Sequence, residues 1–147
     1  MKKKEKKSET ALQNNYAFTQ LDDYNTRTHI LPILLNDSLR KEIIAEHKEN
    51  PFGFPGCPNM ETKVYSAQLA RVIDKLRVQP TPGKIAIFES ESGNCFELVK
   101  LPEKRGAPVQ FLDLKFNDRA TAEHEVFRLR LKDLLISYGF EEVGERC

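Results

Sequence analysis

The chain has 147 residues, 39% of them apolar and 31% charged, with a formal net charge of +1. That is the profile of one globular domain able to build its own core. It excludes a whole-molecule attraction to nucleic acid, and the apolar cluster Ile30 to Leu35 is far too short to span a bilayer.

Three cysteines, Cys57, Cys95 and Cys147, with no CxxC spacing, speak against a disulfide framework and against a cysteine zinc site. Residues 1–15 hold Lys2, Lys3, Lys4, Lys6 and Lys7 without a sustained apolar pattern, which predicts a flexible lysine-rich arm ahead of a single domain over 16–147. No apolar core follows these lysines as it would in a signal peptide, so a cytoplasmic protein without a membrane span is expected. Lys3 and Lys4 could touch phosphates, and the plainer reading is that they aid solubility.

Tyr16 to Leu35 shows no clean period and contains Pro32, so an extended segment packed on the body is expected there. Asn36, Asp37 and Ser38 offer caps for a short helix over "LRKEIIAEHKE", with Leu39, Ile43 and His47 at helical spacing. Prolines and glycines make 50–59 a structured loop, whose phenylalanines could dock or stack but are expected to tuck under the domain. A helical stripe over 61–78 runs through Tyr65, Leu69, Val72, Ile73 and Leu76, and Pro80 and Pro82 end it. "KIAIFES" (84–90) and "CFELVKL" (95–101) read as strands joined by a tight turn at Gly93 and Asn94, and "VQFLDLKF" (109–116) reads as a third. Asp118 or Thr121 can cap a long helix that buries Phe127, Leu131, Leu134, Leu135 and Tyr138 and ends at Gly139, after which "FEEV" returns as a short strand. The expected fold is α/β (α+β), a three- to four-stranded sheet flanked by helices in the order α-β-β-β-α-β, preceded by a short helix and the basic arm.

Residues two apart in a strand share a face, so Asp113 and Lys115 project together with Val109 and Phe111. A carboxylate that holds a divalent cation beside a lysine that orients water or neutralises developing charge is what phosphodiester cleavage commonly needs. The alternative is a pair of ordinary surface charges. Because Val109 and Phe111 continue the charged face, the strand looks apolar on both sides and is expected to be covered on both. The third-strand "DLK" triplet within this order of elements, over residues 61 to about 143, resembles the PD-(D/E)xK nuclease superfamily or a non-cutting relative of it. The resemblance implies catalytic Asp113, Lys115, Glu97 and His124, with Asp113 and Glu97 as ligands of Mg2+. It also matches Glu61 to a first-helix acid and Gly139-Phe140 to a helix end. Arg128 and Lys132, on the outer face of the last long helix, would suit phosphate contacts or a plain solvated face.

His29 and His47 are expected to be packing or surface residues, since no cysteine or histidine stands at metal-ligand spacing from either. His124 is expected on the stripe that faces the sheet, near the end of the Asp113 strand. Two other readings stay open. One is a non-catalytic protein-interaction subunit of a larger assembly, with a protein partner in place of nucleic acid. The other is an RNA-binding module with the order α-β-β-β-α.

Overall fold

A computed structural model describes residues 16–53 and 64–147. The order is α1 (Tyr16–Asn25), a π-helical turn (Thr26–Ile30), α2 (Leu31–Leu34), α3 (Asp37–Glu49), α4 (Ala67–Arg77), β1 (Ile85–Glu89), β2 (Phe96–Lys100), β3 (Gln110–Phe116), α5 (Arg119–Ser137) and α6 (Glu141–Glu145). The α+β class and the three central strands are as expected. The strands form one antiparallel sheet in the order β1-β2-β3. No described helix is long and apolar enough to cross a membrane. The lysine-rich arm and Glu61 lie outside the described residues.

Two expectations fail at the ends of the chain. Residues 16–34 are helical and not extended, with a change of helix type at Thr26–Ile30, just ahead of Pro32. Proline cannot donate the next helical hydrogen bond, and the Leu31 amide reaches five residues back to the Thr26 carbonyl, so the widened turn absorbs the defect. This slip also erases the simple 3.6-residue period, although Thr26, Ile30, Leu31, Ile33 and Leu34 are all buried. At the other end, "FEEV" forms helix α6 and not a strand. Glu141 and Glu142 occupy its first turn, where carboxylates oppose the partial positive charge of a helix start, and Val143 packs on the helical core.

Between these ends the caps read at Asn36 and Asp118 form, whereas the helix expected over 61–78 begins only at Ala67, capped by Ser66, and Phe52, expected to tuck under the domain, is half exposed. Asn36 caps α3 by accepting from the Leu39 amide, Ser66 caps α4 through Leu69, and Asp118 caps α5 through Thr121. Gly93 turns the β1–β2 hairpin at φ 72° and Gly139 ends α5 at φ 87°, both left-handed conformations that favour glycine.

Helix α5 serves two cores. Leu131, Leu134, Leu135 and Phe127 pack into a helical core with Ile30, Leu34, Ile43, Leu69, Val72 and Leu76. Ala122 and Val126, near its start, pack on the inner sheet face with Ile85, Phe96 and Leu98. Arg130 joins the two layers, donating from Nε and Nη2 to the Ile85 carbonyl at 3.0 and 2.6 Å. The sheet thus has helix α5 on one face only among the described residues.

Candidate functional site

The outer sheet face follows from the register. Ala86 pairs with Val99 and Val99 with Phe111, while Phe88 pairs with Glu97 and Glu97 with Lys115. Cross-strand partners share a face, so these six side chains form two rows on the side away from α5. Phe88 and Phe111 meet edge to face with ring centroids 5.4 Å apart, yet remain 48% and 46% exposed. The expectation of a strand covered on both faces therefore fails for the outer side.

The acid–lysine pair is also built differently from the expectation. Glu97 and Lys115 are direct partners and form an ion pair at 3.3 Å. Asp113 is not on the regular ladder. Leu98 alone stands opposite residues 112–114, and Asp113 has φ 60°, the left-handed region that Asp tolerates better than most residues. An aspartate at this point answers the demands of a bulge. Asp113 is exposed, and no group of three or more His, Cys, Asp or Glu able to hold a metal lies among the described residues. The proposed nucleic-acid cations are engaged as well: Arg128 donates to Glu125 at 2.7 Å and to the Cys147 carbonyl at 2.8 Å, and Lys132 pairs with Glu145 at 3.5 Å. Lys3 and Lys4 lie outside the described residues.

His124 turns away from the Asp113 strand. It sits on the side of α5 that meets α3, where its Nδ1 lies 2.9 Å from Nδ1 of His47. One ring must donate the proton of that bond and the other accept it. His47 is buried, stacked on Phe127 at 4.1 Å with the ring planes 11° apart. Burial, then the nearby His124, holds the His47 pKa down to about 4. Burial, then Arg128, lowers that of His124. Both rings are therefore neutral near pH 7, and the pair fastens α3 to α5.

Beside it opens a small cleft lined by His47, Gly53, Tyr65, Arg77, Glu123 and Arg130 among others. The Tyr65 hydroxyl donates to the Asn50 carbonyl at 2.6 Å and accepts from the Gly53 amide at 2.9 Å. Burial pushes its pKa up. Glu46 holds the entry to α4, accepting from the Ser66 amide and hydroxyl, each at 2.8 Å. The pairing of His47 with His124, 77 residues apart, was invisible in the sequence, which marked only their helical positions.

Comparison with known proteins decides between the open readings. The model of the family described as N,N-dimethylformamidase alpha subunit matches residues 23–142. The chain belongs to the N,N-dimethylformamidase alpha subunit family. It is 34% identical over 112 residues to an N,N-dimethylformamidase alpha subunit from Paracoccus aminophilus, covering 76% of this chain and 72% of the relative. It is 31% identical over 119 residues to the alpha subunit from an Alcaligenes species, covering 81% of this chain and 80% of that protein.

Membership of the N,N-dimethylformamidase alpha subunit family overturns the resemblance to the PD-(D/E)xK nucleases, and with it the nuclease and nucleic-acid readings. It also removes the ground on which Mg2+ at Asp113 and Glu97 was expected. The order of elements misled because helix-sheet-helix arrangements recur among unrelated proteins. The expectation that family membership favours is the subunit of a larger assembly.

Proposed function

We propose that this chain is the alpha subunit of an N,N-dimethylformamidase, acting in a complex with at least one unlike chain. The observation that carries this reading is the match to two alpha subunits of that enzyme over most of this chain and over more than two thirds of each relative. The reaction is hydrolysis of the amide bond of N,N-dimethylformamide, in which water is added and formate and dimethylamine are released.

The chain is to be co-expressed with the unlike subunit from the same organism, and the product sized by light scattering and assayed for dimethylamine release. A stable mixed complex that hydrolyses the amide, with neither chain matching that rate alone, is the expected result. Failure of the two chains to assemble, or full activity of the unlike subunit without this one, would overturn the proposal.

A further inference from the structure

We infer that the outer face of the sheet, centred on the Phe88–Phe111 pair, is where the unlike subunit docks; this rests on the function proposed above. The face carries exposed Phe88 and Phe111 beside half-buried Ala86 and buried Val99, with the Glu97–Lys115 ion pair at one end. Two aromatic rings in mutual contact and each nearly half exposed make a patch that water solvates poorly. Buried aromatics ringed by polar groups are the usual centres of protein interfaces.

The size of the face argues for its occupant. Three strands about 4.8 Å apart, two of five residues and one of seven at about 3.3 Å per residue, present roughly 270 Å2. Two copies meeting through it would bury only about 540 Å2 in total, well under the roughly 1,200 Å2 at which specific interfaces begin. A larger chain can cover the face and continue over its polar rim, where Glu97, Lys115 and the exposed 103–108 loop stand. The partner surface expected is an apolar pocket for the two rings, bordered by groups that can bond to this ion pair. The β3 edge does not suit strand addition, since the bulge at Asp113 breaks its ladder.

The test compares wild type, Phe88→Asp, Phe111→Asp and a Phe88→Ala/Phe111→Ala double variant, each co-expressed with the unlike subunit from the same organism. Val78→Asp, at a 70% exposed position beyond the end of α4, is the control. Circular dichroism and thermal melting establish that each variant is folded, and the double alanine variant serves if an aspartate variant is not. Loss of aromatic anchors should weaken assembly by about tenfold or more, with Val78→Asp like wild type. Assembly of the phenylalanine variants at wild-type affinity, or equal loss in Val78→Asp, would overturn the docking face while leaving the proposed function intact. If wild type itself fails to assemble, the proposed function fails and the docking face with it. If this chain alone forms a dimer that Phe88→Asp dissociates, the occupant is a second copy and the inference is overturned.

Discussion

Replacement of His47 by phenylalanine should flatten the acid side of the stability profile. In the folded chain burial holds His47 at about 4, whereas an unfolded histidine titrates near 6.5. Between these values the unfolded chain binds a proton that the folded chain refuses. The folded pKa is the depressed one, so stability is highest above about pH 6.5 and falls as the pH drops towards 4. For one such group the linkage relation gives a loss of about 2.5 kcal/mol between pH 7 and pH 4.5. Phenylalanine preserves the stack on Phe127 and cannot titrate, while His124, half-exposed, can turn its freed nitrogen to water. Urea unfolding of wild type and His47→Phe at both pH values measures the effect. Carboxylates titrating near pH 4.5 act on both proteins, so the difference between the two pH-dependent losses isolates His47. Wild type should lose about 2 to 3 kcal/mol more than the variant. Parallel losses would refute the assignment of a buried, neutral His47 to the α3–α5 contact.

Tyr65→Phe deletes a hydroxyl that both donates to Asn50 and accepts from Gly53, and should cost about 1 to 3 kcal/mol in chemical denaturation. Gly139→Ala forces a side chain onto φ 87°, with a loss of about 1 kcal/mol or more measurable as a lower melting temperature. Lys115→Ala breaks an ion pair whose lysine is largely exposed and should change the stability of the isolated chain by less than about 1 kcal/mol. In the proposed complex, loss of amide hydrolysis on that change with assembly intact would assign Lys115 a catalytic part.

Short-range signals were legible in the residues themselves. Asn36, Ser66 and Asp118 cap their helices because a side-chain oxygen satisfies an amide two or three residues away, a bond that needs no tertiary partner. The sequence marks only Asn36 and Asp118 among these, and Ser66 lies inside the stripe over 61–78, which begins six residues before α4. The strands at 85–89, 96–100 and 110–116 and the left-handed Gly139 followed from equally local rules. Local rules misjudged residues 16–35, where a π-helical turn hides the period, and 140–143, where helix and strand propensities are close and packing on the helical core decides.

The candidate sites depended on distance in space. Alternation placed Asp113 with Lys115, but only the three-stranded register shows that Lys115 faces Glu97 and that Asp113 falls in a bulge. Sequence placed Phe111 on a face expected to be covered, and only the packing of α5 on the opposite side reveals that this face is open. The same packing turned His124 from the sheet to His47. A cap or a turn is settled by neighbours along the chain, whereas which face of a sheet is covered, and which histidine meets which, depends on elements that sequence separates by tens of residues.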